Sequence, residues 1–216
     1  MADYKKPDHW QLKARKESYP ARSVYKLQEM DEKFGLLKGG AHRVLDLGAA
    51  PGSWSLYVLR KMTGSSRRSP IPNPQSPILV SADLSPLSRQ YDQGLFNDGE
   101  NFHFIQGDIT EPAIRDSIVS LGPYSLIISD AAPATTGNRL VDSARSLELA
   151  EAVVSYAENG LTVNGNIVVK VFQGGDSVQL LLRMKTMFKT AKSYKPQACR
   201  GDSFETYYIG TGKKLT

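Results

Sequence analysis

Short runs of apolar residues recur along the middle of the chain and predict the strands of a sheet. Each run is rich in Ile, Val and Leu, and several end at a carboxylate or a glycine turn, as buried strands of α/β proteins do. The predicted strands are residues 42–48, 77–84, 102–108, 124–130, 166–172 and 206–212.

Three segments between or beside these runs carry apolar residues at helical spacing, namely 53–62, 142–161 and 177–189. Gly160 lies near the expected end of the second helix, and Asn164-Gly165 predicts a turn into the next strand. Strands and helices that alternate at these lengths predict an α/β fold, with a mostly parallel sheet and helices on both faces.

Two further segments complete the predicted organisation of the chain. Residues 1–35 are expected to form a basic, helical N-terminal segment, and the four prolines within 64–77 predict a surface loop between a helix and the next strand. A chain of 216 residues fits one domain, so we expect residues 1–216 to form a single unit.

Charge is distributed unevenly along the chain. Residues 1–26 carry seven Lys or Arg against three Asp or Glu, and residues 183–216 carry eight against two. The stretch between them, 27–182, has 12 basic and 17 acidic residues, which gives it a net charge of −5. Basic ends around an acidic middle indicate an anionic partner, although a solvated surface with chance clustering gives the same counts.

Composition excludes several classes of protein. No apolar stretch approaches the ~18 residues that cross a bilayer, and the N-terminus lacks the apolar core of a secretion signal. Cys199 is the only cysteine, so neither a disulfide framework nor a thiolate metal cluster is available. His9, His42 and His103 show no metal-ligand spacing. We therefore expect a cytoplasmic protein without membrane contact or a metal.

A ligand site is predicted at the ends of the first three strands. Gly48 and Gly52 form a G-x-x-x-G turn, which differs from the dinucleotide fingerprint and from the phosphate-binding loop. Ligands of open α/β sheets bind outside the carboxyl ends of the strands. There Asp83 is placed to accept hydrogen bonds from both hydroxyls of a ribose, and Asp108 from an adenine amino group. Turn chemistry or helix capping explains each feature singly, but one ligand explains them together.

Two charged residues stand where buried strands are predicted. Asp130 ends the run 124–130, and Lys170 lies in the middle of 166–172. Burying a charge is costly unless another group pairs with it or the charge has a use. An internal salt bridge is one interpretation, and an active site is the other.

Four segments in order resemble the FtsJ/RrmJ family of S-adenosylmethionine-dependent RNA ribose 2′-O-methyltransferases: LDLGAAPGSWS, SDAAP, VVKVFQG and KPQACRGDSFETYYIG. The match runs from about Arg22 to Lys213. It implies a Rossmann-like methyltransferase fold with a mostly parallel, seven-stranded sheet.

The resemblance also implies site residues. The catalytic set is Lys26, Asp130, Lys170 and Glu205. The residues that would bind S-adenosylmethionine, which leaves as S-adenosylhomocysteine, are Gly48, Ala49, Pro51, Gly52, Trp54, Asp83, Leu84, Asp108, Ile109 and Asp130. Lys170 would be the general base or would stabilise the developing alkoxide, and Lys26 would supply a second positive charge.

The resemblance predicts a monomer that methylates RNA, foremost a uridine of large-subunit ribosomal RNA, free or in a ribosomal particle. The basic ends, including Arg200, Lys213 and Lys214, would hold phosphates, with Trp10, Tyr19 or Tyr25 available for base stacking. Two alternatives stay open: the same chemistry on a tRNA anticodon loop, and a non-catalytic RNA-binding protein of the same fold.

Overall fold

Strands and helices alternate along the computed structural model, which describes residues 7–38, 43–65, 77–97, 99–174, 176–201 and 203–215. The helices are α1 (His9–Lys16), α2 (Val24–Phe34), α3 (Ser53–Ser65), α4 (Pro112–Ser120), α5 (Arg139–Gly160) and α6 (Ser177–Met187). The strands are β1 (Arg43–Leu47), β2 (Ile78–Asp83), β3 (Phe102–Gln106), β4 (Tyr124–Ser129), β5 (Leu161–Phe172), β6 (Phe188–Tyr194) and β7 (Glu205–Lys213).

The seven strands form one sheet in the order β3-β2-β1-β4-β5-β7-β6. Neighbours from β3 to β5 are parallel, whereas β7 is antiparallel to both β5 and β6. The chain runs outward from β1 to β3 and then returns to the other side of β1 as β4. Such a reversal opens a crevice at the carboxyl ends of β1 and β4. The predicted α/β fold with a mostly parallel, seven-stranded sheet is confirmed.

Alternate residues of each strand point to opposite faces of the sheet, and helices cover both faces. Val44, Ile128 and Val168 belong to one buried cluster that includes residues of α2 and α3. Leu45 and Ile127, one position away along the same strands, belong to a second cluster that includes residues of α4, α5 and α6.

Two elements of the sheet's second half differ from the prediction. The helix predicted over 177–189 ends at Met187, and β6 follows at once. β6 is polar, because it pairs only with β7 and buries few of its side chains. The turn predicted at Asn164-Gly165 is also wrong: Asn164 has φ +64° inside β5, where the register against β4 shifts. The Asn-Gly pair therefore forms an irregularity within a strand.

The N-terminal part of the described chain, residues 7–38, contains the two helices α1 and α2. Asp8 begins α1 with a capping box, in which Asp8 and Gln11 each accept the other's backbone N–H, and Gly35 ends α2 in the left-handed conformation. Of the loop predicted over 64–77, α3 includes the first two residues, and 66–76 lie outside the described residues.

The basic ends of the chain lie side by side. The Arg22 guanidinium donates to the Ala198 carbonyl, and Glu29 of α2 accepts hydrogen bonds from the Gln197 backbone and the Tyr194 hydroxyl. Residues near position 25 and near position 200 therefore contribute to one surface, although some 170 positions separate them in the chain.

A tight turn links β1 to α3 at the crevice. Gly48 has φ +74°, and its backbone N–H donates to the carbonyl of Ala82 at 2.9 Å. A Cβ on Gly48 would lie 2.8 Å from the backbone nitrogen of Ala131. Gly48 therefore allows the turn to pack directly on the chain that leaves β4.

We expect Gly48→Ala to lower the melting temperature more than Gly137→Ala does. Both glycines have positive φ, +74° and +84°, so alanine costs each about 1–2 kcal/mol of backbone strain. A Cβ at Gly137 meets no atom within 4 Å, whereas at Gly48 it meets Ala131. Thermal unfolding followed by circular dichroism measures the difference. Equal losses would show that the chain at Ala131 moves aside without cost.

Candidate active site

A cavity of about 360 Å³ lies in the crevice between β1 and β4. Six residues predicted to bind a cofactor line this first cavity: Gly48, Asp83, Leu84, Asp108, Ile109 and Asp130. The cavity is also lined by Ala50, Ser85, Gly107, Ala131, Ala132 and Leu149, which the sequence did not single out. Four other predicted residues are not among those that line it: Ala49, Pro51, Gly52 and Trp54.

Backbone hydrogen bonds orient two of the carboxylates in the first cavity. Asp83 accepts from the Ala50 N–H at 2.9 Å with Oδ2 and from the Ser85 N–H at 2.8 Å with Oδ1. Asp108 accepts the N–H and the hydroxyl of Thr110 at 2.8 and 2.7 Å. These bonds from Thr110 lower the pKa of Asp108, so the cavity holds a negative charge at neutral pH.

Trp54 supports the neighbouring structure from within the core. Its side chain is 2% exposed, and its indole N–H donates to the Ser23 carbonyl at 2.8 Å. Its ring lies 5.9 Å from the ring of Tyr207. Trp54 thus joins α3 to the residues that precede α2 and to β7.

The four charged residues predicted as a catalytic set come together as two ion pairs. Lys170 Nζ lies 3.1 Å from Asp130 Oδ1, and Lys26 Nζ lies 2.6 Å from Glu205 Oε1. Lys170 also donates to the backbone carbonyl of Asp130. The side chains are between 8% and 18% exposed. Charges buried to this extent need partners. Each of the four residues pairs with an oppositely charged residue from another segment of the chain.

Tyr207 joins the two ion pairs and was not predicted. It lies opposite Lys170 in the β5–β7 register, and its hydroxyl donates to Asp130 Oδ1 at 2.6 Å. Lys26 Nζ lies 5.9 Å from the centre of its ring. Burial and the charge of Asp130 raise the pKa of Tyr207 well above 10, which keeps the phenol a donor. Its position two residues after Glu205 in a strand was the available signal, because such residues share a face.

The electrostatics of the charged cluster favour fixed charges on two of its members. Burial raises the pKa of Asp130, but Lys170, Lys26 and the bond from Tyr207 outweigh burial and leave that pKa lowered. Burial lowers the pKa of Lys26, but Asp130 and Glu205 outweigh it and leave that pKa raised. Asp130 is therefore an anion and Lys26 a cation throughout the neutral range.

A second cavity, of about 470 Å³, is lined in part by Lys26 and Glu205 of the charged cluster. Its described lining consists of Arg22, Ser23, Lys26, Thr135, Arg200, Ser203, Phe204 and Glu205. Asp130 lines the first cavity, whereas Lys26 and Glu205 line the second. The cluster thus contributes residues to two cavities, although Lys170 is not among the described lining residues of either, and two arginines lie in the wall of the second.

A model of the FtsJ-like methyltransferase family matches residues 19–213. The chain belongs to this family. It is 49% identical to the ribosomal RNA large subunit methyltransferase E of Treponema denticola over 208 residues, which cover 96% of this chain and 95% of the relative. It is 42% identical to the protein of the same name from Borrelia garinii over 203 residues. These residues cover 94% of this chain and 95% of the Borrelia protein.

The fold of the family is also found among solved structures. A Plasmodium falciparum protein provisionally named a ribosomal RNA methyltransferase superposes with a TM-score of 0.72 at 24% identity, covering 92% of this chain and all of that one. The family model and the two relatives confirm the resemblance that the sequence motifs carried, and the protein is a methyltransferase.

Two of the side chains predicted to contact RNA, Lys213 and Tyr25, are buried, so this part of the prediction is wrong. Lys213 is 7% exposed, and its ammonium donates to the carbonyls of Glu158 and Leu161 at the end of α5. Lys214 donates to two carbonyls at the end of α6. The two lysines cap helices, because cations are stabilised at helix C-termini. Tyr25, at 3% exposure, is too buried to stack on a base.

Within the described ranges, no helix combines the length and the apolar character needed to cross a bilayer. The same residues contain no group of three or more His, Cys, Asp and Glu side chains placed to hold one metal ion.

A fully buried carboxylate lies beneath the Gly48 turn. Asp46 of β1 accepts a hydrogen bond from the Ser55 hydroxyl at 2.7 Å, and its other oxygen, Oδ1, has no hydrogen-bond partner. Burial raises the pKa of Asp46 to about 7, the bond from Ser55 opposes this rise, and the charges of Asp130 and Asp83 add to it. A protonated Asp46 is therefore the favoured form at mildly acidic pH.

Asp46 should make the stability of the protein fall as the pH rises. The unfolded carboxyl titrates near 3.8 and the folded one near 7, so the folded state holds the proton more tightly. The stability from this group is complete below pH 4 and is lost by pH 7, a change on the order of 4 kcal/mol. Urea unfolding of Asp46→Asn across this range should lack that decline.

The same change at an exposed carboxylate, Asp116→Asn, controls for the loss of an acid. If the wild type, Asp46→Asn and Asp116→Asn depend on pH alike between 4 and 7, the assignment of a raised pKa to Asp46 is wrong.

Proposed function

We propose that the protein transfers a methyl group from S-adenosylmethionine to a ribose 2′-hydroxyl of large-subunit ribosomal RNA, at a uridine. One observation carries the proposal: Asp130 lines the first cavity and Lys26 and Glu205 line the second, so a methyl donor in one and an acceptor in the other would both reach the charged cluster. The names of the curated relatives support ribosomal RNA as the acceptor.

The first cavity has the features that a nucleoside donor requires. Asp83 and Asp108 are carboxylates able to accept from ribose hydroxyls and an amino group, and Leu84, Ile109 and Leu149 provide apolar surface for a purine. When bound, S-adenosylmethionine supplies an electrophilic methyl group on a positively charged sulfur. Asp130, held as an anion in the cavity wall, is complementary to that charge.

The charged cluster supplies the groups that the acceptor requires. Attack by the 2′-oxygen forms an oxygen–carbon bond as the carbon–sulfur bond breaks, and the electron pair stays on sulfur. The hydroxyl proton must leave. We assign to Lys170 either the acceptance of this proton, as a neutral amine, or the stabilisation of the developing alkoxide, as the ammonium that pairs with Asp130. The raised pKa of Lys26 suits it to the fixed positive charge beside the ribose. Glu205 holds Lys26 in place.

The two basic ends supply contacts for the phosphates of the RNA. Arg22 and Arg200 come from opposite ends of the sequence to the same cavity. Lys13, Arg15 and Lys16 of α1 extend the positive charge along the N-terminal helix. A monomer that acts in the cytoplasm, on free RNA or on a ribosomal particle, is the rest of the proposal and rests on the family resemblance.

Methyl transfer to large ribosomal subunits tests this function. Subunits from cells that lack the gene, incubated with the protein and S-adenosylmethionine labelled in its methyl group, should gain label at one uridine of the large ribosomal RNA. That position should resist alkaline cleavage, because cleavage requires a free 2′-hydroxyl.

Subunits from cells that retain the gene provide the control and should accept no label, since the position is already methylated. Label on a base, on a protein or only on transfer RNA would contradict the proposal. A failure to transfer methyl groups to any RNA would contradict it as well.

A further inference from the structure

The second cavity has one aromatic side chain among its described lining residues, Phe204, which directly precedes Glu205 in the chain. We propose that Phe204 is the surface on which the base of the target nucleotide stacks, and so a residue that determines substrate specificity. The proposal rests on the proposed function, because it assumes that the second cavity admits a nucleotide of the RNA.

Phe204 is held in one place before any ligand arrives. Its backbone carbonyl accepts from the Gln173 N–H at 2.8 Å, at the point where β5 ends. Its ring packs edge-on against Phe172, with 4.6 Å between the ring centres and 61° between the planes, and the Arg139 guanidinium lies 5.4 Å from the ring centre. A ring fixed from these sides loses little conformational entropy when a base stacks on it.

The surroundings of Phe204 fit the other parts of a nucleotide. Lys26 and Glu205 mark where the reacting ribose must lie, and Arg200 in the same wall suits a flanking phosphate. Thr135 brings a hydroxyl group that can hydrogen-bond to the edge of a base. At about 470 Å³ the cavity falls within the ~300–1,000 Å³ of small-ligand sites.

Trp10, Tyr19 and Tyr25, the aromatic residues predicted to stack on bases, are not among the described residues that line the second cavity. Tyr25 is buried beneath Lys13, whose ammonium lies 4.4 Å from the ring centre, and Arg60 lies 4.5 Å from the ring centre of Tyr19. Single-stranded or extruded bases are held chiefly by stacking on aromatic side chains. Phe204 is therefore the residue in the cavity wall that is suited to this task.

Separate substitutions of Phe204 and Phe172 distinguish a role in stacking on the base from a role in packing. Phe204→Leu should lower kcat/KM for large ribosomal subunits by about 5- to 100-fold, mainly through KM, because stacking on the base is lost. Affinity for S-adenosylmethionine should not change. Phe204→Trp should retain activity within a few-fold, since indole also stacks.

Phe172→Leu is the matched control, because Phe172 contacts the same ring but is not among the residues that line the cavity. It should retain kcat/KM within a few-fold. Equal losses in Phe172→Leu and Phe204→Leu would make Phe204 a packing residue and overturn the proposal. Wild-type kinetics in Phe204→Leu would overturn it as well.

A binding measurement distinguishes failure of this inference from failure of the proposed function. Uridine 5′-monophosphate should quench the fluorescence of Phe204→Trp more than that of the wild type, which contains only Trp10 and Trp54. Ribose 5-phosphate, which has no base, should not. Quenching without methyl transfer to any RNA would support the nucleotide site and contradict the proposed reaction. Normal methyl transfer without quenching would remove the stacking role of Phe204.

Discussion

The pairing of the Asp130 carboxylate is the interaction on which the rest of the site depends. Asp130 directly follows the buried strand β4, and Lys170 and Tyr207 converge on the same carboxylate oxygen from two further strands. Loss of one partner of such a pair leaves an uncompensated charge in a region of low dielectric constant. The cluster is stable because β4, β5, β7 and α2 each place one of its charged residues.

The topology of the sheet explains why this cluster lies beside a cavity. The chain reverses its direction across the sheet between β1 and β4, and the Gly48 turn packs on Ala131, directly after Asp130. The antiparallel β7 then brings Tyr207 opposite Lys170 and leaves Glu205 at the end of β5. Asp130 thus lines the first cavity, and Lys26 and Glu205 line the second.

Much of this arrangement could be predicted from the sequence, and the exceptions have physical reasons. Apolar runs locate the strands that are buried on both faces, but β6 buries little and leaves no such run. Motif order identified the four charged residues. Lys213 was assigned to RNA because charge counts do not reveal burial, and Tyr207 and Phe204 went unnoticed because their roles depend on strand register and on neighbours far away in the chain.

The rate of a single turnover in Lys170 variants tests the central claim most directly. With large ribosomal subunits and saturating S-adenosylmethionine, Lys170→Ala should transfer methyl groups ~10²–10⁴ times more slowly than the wild type, while calorimetry shows cofactor affinity within a few-fold. Lys170→Arg should also be slow if Lys170 accepts the proton, because guanidinium stays protonated. A folded Lys170→Ala protein with the wild-type rate would contradict the account.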